Sequence, residues 1–262
     1  MSPLRWRGML IPQEHGTWNL LLEPIALGCL VAPSWPGALL ALSALALILA
    51  RTPLLRLWSA RSKPSVKSLP PLARTWAYAW SALAVLGLLA AVGLSGIRIL
   101  LPLLIALPLG LFQLRSQLLR NARSLNAELA GGLALSTSTM MIALAGGMSL
   151  GTAALLWILP ALRVLLSILY IRARLRLGRG EMGAVDDVLD AHLVVLVVLA
   201  GLAVGGWVPA LAAAAFAVLG LRTLFELVRK QRGISPRRLG LIEVSLGIVF
   251  VVMTAAGFRA GF

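Results

Sequence analysis

The chain has 262 residues, of which 60% are hydrophobic and only 13% are charged, whereas soluble domains average roughly 45–50% and about 25%. So little polar surface excludes a water-soluble enzyme and a disordered chain, and indicates a protein of the lipid bilayer. The net charge of +15 does not indicate nucleic-acid binding, because no soluble stretch is available to carry a groove-reading element. The single cysteine, Cys29, rules out a disulfide framework.

Apolar runs long enough to cross a bilayer, about 20 residues each, follow one another along the whole sequence. We therefore predict an all-α polytopic transmembrane bundle in one domain, 1–262, with a cytoplasmic segment at 1–16. The Arg51–Arg56 and Arg115–Arg120 segments resemble each other and favour four helical hairpins with a closing ninth helix, although any cytoplasmic helix end attracts arginines. The nine predicted spans are 17–34, 36–57, 75–94, 97–115, 128–147, 150–172, 190–206, 208–228 and 239–257.

Basic residues give the bundle an orientation. All but four of the 24 Lys and Arg residues precede the first span or lie in the connections that follow even-numbered spans. The positive-inside rule then predicts a cytoplasmic N-terminus and an external C-terminus. The same cations attract the anionic headgroups of the inner leaflet, so membrane lipids are the predicted partners.

Five ionisable residues fall inside predicted spans, where an unpaired charge is costly. Such groups usually face a protein interior or a watery cavity, so structural pairing and a polar cavity are both open interpretations. Glu23 and Glu243 are natural partners for Arg163. Arg222 and Glu226 lie one helical turn apart and can neutralise each other.

Three polar side chains lie near the start of the first span. Glu14, His15 and Trp18 are expected at the cytoplasmic mouth of the bundle, beside Gly16. Glu23 and Pro24 follow within the first span, and Glu23 is a further candidate for binding the substrate. A histidine there can act as an acid, a base or a hydrogen-bond donor to an anion at neutral pH. A solvated or capped histidine is the structural alternative.

The connection after the fourth span is rich in arginine. Arg115 begins it, and if the segment is helical, Arg120, Arg123 and Asn126 share one stripe with Glu128 at the head of the fifth span. Such a stripe could grip a phosphate or carboxylate through bidentate guanidinium hydrogen bonds. A loop that only sets the orientation of the chain explains the same arginines.

An acidic motif precedes the seventh span. Asp186, Asp187 and Asp190 have the spacing of the DDxxD signature that holds magnesium diphosphate, and oxygen ligands suit Mg²⁺. One interpretation of this spacing is a magnesium site. The alternative is that these acids open a helix and stabilise its dipole.

The block Pro12-x-x-His15-Gly16-x-Trp18, the Arg-rich connection leading to Glu128, and the Tyr170 to Arg176 segment together resemble the YwiC-like family. Members of that family are bacterial polytopic membrane proteins, so the resemblance implies the bacterial inner membrane as location. It adds weight to a functional role for His15 and Trp18. It implies no mechanism.

Nine helices with a cytoplasmic N-terminus also resemble the UbiA-type prenyltransferases. Those enzymes carry two Asp-rich motifs at the inner ends of the second and sixth helices, where magnesium holds a prenyl diphosphate. Here the second helix ends in Arg51 and Arg56, and only Asp186, Asp187 and Asp190 could replace the second motif. The resemblance thus implies a scaffold without its metal chemistry.

Three functions remain open from the sequence. The first is a UbiA-like intramembrane transferase or binding protein with a basic, cytoplasm-facing pocket for an anionic amphiphile such as an isoprenoid or lipid phosphate. In it, His15 or Glu128 would move protons. The second is a transporter of a small anion or metabolite, with a mid-bilayer site around Arg163, Arg222, Glu226 and Glu243. The third is a non-catalytic assembly protein. In the UbiA-like function, the residues that hold the anion would be Arg51, Arg115, Arg120 and Arg172.

Overall fold

The computed structural model describes residues 15–62, 71–180, 185–228 and 236–261. These ranges contain nine α-helices and no strand, which confirms the all-α prediction for the part of the chain described. A 3₁₀ turn at Ile97–Leu100 leads into the fourth helix. The helices are α1 His15–Val31, α2 Trp35–Ser62, α3 Pro71–Ser95, α4 Leu103–Leu118, α5 Leu125–Ala145, α6 Leu150–Gly178, α7 Val185–Val204, α8 Ala210–Val228 and α9 Pro236–Arg259.

Eight stretches of the described chain are long and apolar enough to cross a membrane. They correspond to the helices α2 to α9. In α1 the apolar stretch Trp18–Val31 is shorter. Multi-pass membrane insertion follows from these eight stretches, whereas a ninth crossing by α1 stays a prediction.

The helices α1 and α5 lie at the centre of the bundle, where each packs against four others. α1 packs against α2, α5, α6 and α9, and α5 packs against α1, α2, α4 and α6. α2 pairs with α3 on one side, and α8 packs between α7 and α9 on the other. Because α1, α6 and α9 meet near the middle of the molecule, their polar side chains can be enclosed by protein and kept away from lipid.

Side-chain size explains the packing. Glycines at the centre let helices approach closely: a Cβ on Gly132 would overlap the Val164 side chain, and one on Gly146 would lie 2.7 Å from the Ala32 Cβ. Phe216 and Phe250 meet edge to face between α8 and α9, with ring centroids 5.5 Å apart. Large apolar residues on the outer helices are exposed, as side chains that contact lipid are expected to be.

Two boundaries differ from the sequence prediction in ways that matter for the site. α6 continues to Gly178, six residues beyond the predicted span 150–172, so Arg174 is helical and buried. The segment between α4 and α5 is a turn, so the predicted helical stripe of Arg120, Arg123 and Asn126 does not form. Arg120 has φ 58° there, a left-handed conformation that an α-helix cannot contain. Of the predicted segment 1–16, residues 1–14 lie outside the described ranges.

Candidate functional site

A polar stripe runs along α6, on the face that the neighbouring helices cover. Arg163, Ser167, Tyr170 and Arg174 follow one another at intervals of four, three and four residues, which is the repeat of one helix face. All four are buried. From Arg163 to Arg174 the stripe covers about 16 Å along the helix axis. It leads from the middle of α6 towards the basic end, by which we mean the end where α2, α4, α6 and α8 finish.

The central contact of the stripe is with Glu243 of α9. Arg163 Nη1 donates to Glu243 Oε2 at 3.1 Å, and Arg163 Nη2 donates to the Glu243 carbonyl oxygen at 3.2 Å. Ser167 Oγ donates to Oε2 at 2.5 Å, and Arg222 of α8 donates to Oε1. Glu243 is 3% exposed, so one buried carboxylate is shared by two guanidinium groups and a hydroxyl.

Glu23 of α1 is the second carboxylate near Arg163, and it is held more loosely. Its Oε1 lies 3.7 Å from Arg163 Nη2, which is an ion pair too long for a hydrogen bond. Asn19 lies one turn earlier on the same helix, close enough to influence the carboxylate. Within the described ranges, the buried Oε1 has no hydrogen-bond partner. We call Glu23, Arg163, Ser167, Arg222 and Glu243 the central cluster.

Closer to the basic end, the stripe meets α8 again. The Tyr170 hydroxyl donates to Glu226 Oε2, and Arg174 Nε lies 3.7 Å from the same oxygen. The Arg222 guanidinium carbon lies 3.7 Å from the centroid of the Tyr170 ring, which adds a cation–π contact. Arg222 and Glu226 therefore bind partners on other helices, and the expectation that they neutralise each other is wrong.

A histidine adjoins this polar region. His192 of α7 is buried, its Nδ1 lies 2.8 Å from the Val188 carbonyl oxygen, and its Nε2 lies 3.1 Å from Thr223 Oγ1. The carbonyl can only accept, so Nδ1 carries the proton when the ring is neutral. Five helices, α1, α6, α7, α8 and α9, thus supply side chains to one buried polar region.

Gly247 of α9 makes room for Glu23. A Cβ at Gly247 would overlap the Glu23 carboxylate. We expect Gly247→Ala to destabilise the protein by about 1–3 kcal/mol through overpacking. The effect should shrink in a Glu23→Ala background, because the overlapping carboxylate is then absent. The measurement is thermal unfolding in detergent.

Gly240→Ala is the matched control, because Gly240 lies on the same helix and a Cβ there meets nothing within 4 Å. Helix propensity alone predicts a neutral or slightly stabilising effect for this control. An equal cost of Gly247→Ala with and without Glu23 would contradict the contact.

The structure brings some of the predicted residues together at the basic end. Arg172 Nη1 lies 2.8 Å from Glu128 Oε2 and donates to the Arg123 carbonyl oxygen at 3.0 Å. These contacts tie the turn before α5 to the end of α6. Arg51 Nη2 donates to Gln117 Oε1 at 2.6 Å, which joins α2 to α4.

Other residues selected from the sequence lie near that end. Arg115, Arg120, Arg123 and Asn126 are exposed. Trp18 is half-buried on α1. His15 is the first residue of α1, and its side chain lies outside the described part of the structure. These positions do not test the predicted roles of the residues.

The acidic motif of α7 is exposed on the surface of the bundle. Asp186 and Asp187 lie in the first turn of α7, and Asp190 follows one turn later; all three are exposed. Among the described residues, no group of three or more His, Cys, Asp or Glu side chains is arranged to hold a metal ion. The first-turn position is the one where acids stabilise the helix dipole. Magnesium binding gains no support from this geometry.

Ser167, Tyr170, Arg174, His192 and Thr223 belong to the polar region, although sequence reasoning did not select them as site residues. The signal for three of them was present in the 4-3-4 spacing from Arg163 to Arg174. It was missed because Arg174 was assigned to a basic connection. For His192 and Thr223 there was no local signal, since their contact joins α7 to α8.

The fold and the buried polar region define a polytopic integral membrane protein with a charged interior. A sequence model of the YwiC-like protein family matches residues 11–143, about half of the chain. The chain therefore belongs to the YwiC-like family. No curated protein and no solved structure matches it. The match includes Glu23 and most of α5, whereas the other members of the central cluster follow it in the sequence.

Proposed function

We propose that this protein transports a small anion across the membrane and that the central cluster is its binding site. The observation that carries the proposal is a set of buried guanidinium nitrogens. Within the described ranges, Nε of Arg163 and both Nε and Nη1 of Arg222 have no hydrogen-bond partner. Buried donors of this kind usually have a partner, so these three favour a site that accepts a further acceptor.

The charges of the polar region balance in the present state. Three arginines (Arg163, Arg174 and Arg222) face three glutamates (Glu23, Glu226 and Glu243). An anion can bind only if one resident carboxylate moves away or is neutralised. A carboxylate that exchanges with substrate at a fixed guanidinium is consistent with transport, in which the site must release its ligand as readily as it binds it.

The local structure of α1 also supports transport. Pro24 lies inside α1 directly after Glu23, and α1 has a shorter apolar stretch than the other helices. Proline-interrupted or short helices beside a polar site in mid-membrane are typical of secondary transporters. The Pro24 carbonyl oxygen accepts a 2.8 Å hydrogen bond from Thr139 Oγ1 of α5, so its local backbone is anchored by a side chain. We propose the predicted orientation, with the basic end in the cytoplasm of a bacterium.

Anion exchange tests this proposal. The purified protein is reconstituted in vesicles of phosphatidylethanolamine and phosphatidylglycerol that contain one unlabelled anion, and entry of the same labelled anion is followed. Chloride, nitrate and lactate are the monovalent probes and sulfate is the divalent contrast. We expect exchange of at least one monovalent probe above the rate of protein-free vesicles. Exchange of none of the four would contradict the function.

A second candidate is a UbiA-like transferase or binding protein that holds an isoprenoid or lipid phosphate at the basic end. It is favoured by the turn before α5, which carries the exposed Arg120 and Arg123, and by the Glu128–Arg172 ion pair, whose arginine also bonds the Arg123 carbonyl oxygen. In this case His15 or Glu128 would move protons. The central cluster would then be structural.

Arg120→Gly tests the second candidate without disturbing the turn, because glycine adopts φ 58° readily. Native mass spectrometry of gently extracted protein should show an isoprenoid or lipid phosphate bound to the unaltered chain. Loss of one cation near the headgroups should reduce retention about fivefold. Unchanged retention in Arg120→Gly would remove Arg120 from the lipid site.

A further inference from the structure

We propose that Glu23 is the proton-carrying residue of the central cluster and that the protein moves one proton with each monovalent anion. This inference rests on the proposed function. It follows from the different ways in which the cluster holds its two carboxylates. Glu23 and Glu243 both lie beside Arg163, but only the Glu243 carboxylate accepts hydrogen bonds from several neighbouring side chains.

Glu243 acts as the permanent counter-ion. Its carboxylate accepts hydrogen bonds from Arg163, Ser167 and Arg222, and its backbone carbonyl accepts a further one from Arg163. Protonation of Glu243 would disrupt several charge-assisted hydrogen bonds at once. Glu243 therefore stays ionised while the site is loaded and emptied.

Glu23 is the exchangeable counter-ion. Its contact with Arg163 is 3.7 Å long, and its buried Oε1 has no hydrogen-bond partner in the described ranges. The Gly247 backbone borders the carboxylate without a side chain. Glu23 can give up the Arg163 contact without breaking a hydrogen bond between them, and protonation removes the buried charge that would otherwise be left unpaired.

The charged surroundings of Glu23 determine what its protonation does. The charged groups that face Glu23 are Arg163 from α6 and Glu243 from α9, and the neutral Asn19 lies near it on its own helix. Among the described side chains, the other helices packed on α1 carry their charged residues towards the basic end: Arg51 and Arg56 on α2 and Glu128 on α5. Neutral Glu23 thus leaves Arg163 and Arg222 opposite a single carboxylate.

Protonation of Glu23 and binding of the anion together conserve atoms and charge. A proton adds to the Glu23 carboxylate, and the central cluster changes from neutral to one net positive charge. One monovalent anion then takes the place beside Arg163 and restores neutrality. When the proton and the anion are released on the opposite side of the membrane, Glu23 is ionised again. One proton and one anion therefore cross together without net charge transfer.

Glu23→Gln separates this inference from the proposed function. Exchange of a labelled anion between equal concentrations requires no net proton movement, so exchange by the unaltered protein tests the proposed function, and acidification during net entry tests the role of Glu23. Net anion entry through the Glu23→Gln variant should fail to acidify the vesicle interior, which a trapped pH dye reports while potassium and valinomycin hold the voltage at zero. The unaltered protein should acidify the interior. Glu243→Gln should lose exchange itself, because it lacks the permanent counter-ion.

The outcomes of these experiments distinguish failure of anion transport from failure of the proton-carrying role of Glu23. If the unaltered protein exchanges none of the probes, the proposed function fails. If it exchanges anion without acidification, or if Glu23→Gln still acidifies the interior, only the proton-carrying role fails. Infrared difference spectroscopy needs no variant: anion addition to the unaltered protein should produce the C=O band of a protonated carboxylic acid. Absence of that band would also overturn the role of Glu23.

Discussion

Replacing Glu243 by glutamine should produce the largest loss of stability of any single change in the central cluster. The substitution keeps the shape of the side chain and removes the charge that Arg163 and Arg222 share. Two buried guanidinium groups then face Glu23 alone. Breaking a buried ion pair from one side costs about 3–5 kcal/mol. Thermal or chemical unfolding in detergent measures the loss.

Two further variants make this result specific. In Glu243→Gln combined with Arg163→Gln the charge balance is restored, so the double variant should be more stable than Glu243→Gln alone. Glu128→Gln alters an ion pair whose side chains are 29% and 35% exposed, and its cost should be about 0–1 kcal/mol. Equal losses in Glu243→Gln and Glu128→Gln would contradict the burial of the central charges.

Replacing Arg163 by glutamine should have the largest effect on transport. Arg163 is 2% exposed, touches both carboxylates and has a free Nε donor within the described structure. If the anion accepts two charge-assisted hydrogen bonds from it, the loss is roughly 3–6 kcal/mol, or about a hundredfold to ten-thousandfold in apparent affinity. The concentration dependence of anion exchange in vesicles measures this change.

Arg259→Gln is the matched control, because Arg259 is exposed at the opposite end of α9 and lies outside the cluster. It should exchange anion as the unaltered protein does. Arg163→Lys should recover little, since an ammonium group cannot reproduce the planar fork of a guanidinium. Normal affinity in Arg163→Gln would exclude Arg163 from the site.

The membrane class and the helix order were predictable because they depend on local composition. A run of apolar residues forms a membrane helix wherever it occurs, and short turns or basic connections mark its ends. α6 shows the limit of this reasoning. Arg172 and Arg174 suggested that the helix had left the membrane, whereas Arg174 is buried opposite Glu226, a residue distant in sequence.

The cost of burying charge identified the right residues and some of their partners. Glu23, Arg163 and Glu243 were expected to pair, and they do meet. The Arg222–Glu226 prediction failed because a one-turn spacing permits a contact without imposing it. Arg222 lies on the side of α8 that meets Glu243 of α9, and Glu226 reaches Tyr170 of α6. Which of these residues pair depends on how separate helices pack against one another. The spacing of residues within one helix does not determine that packing.

The arginine-rich turn illustrates a different limit. The prediction of a helical stripe assumed a helix through residues 115–128, but the chain reverses between α4 and α5 through the left-handed residue Arg120. An arginine carries no signal for positive φ, as a glycine would. The same arginines therefore end up exposed at the basic end.

The most direct test of the central claim is to locate a bound anion. Bromide is a small monovalent anion whose anomalous scattering identifies it in a crystal. Crystals grown with bromide at low pH, where Glu23 would carry its proton, should show an anomalous peak beside the Arg163 and Arg222 guanidinium groups. Bromide found only at the exposed arginines before α5, with the central cluster closed by its own carboxylates, would contradict the account.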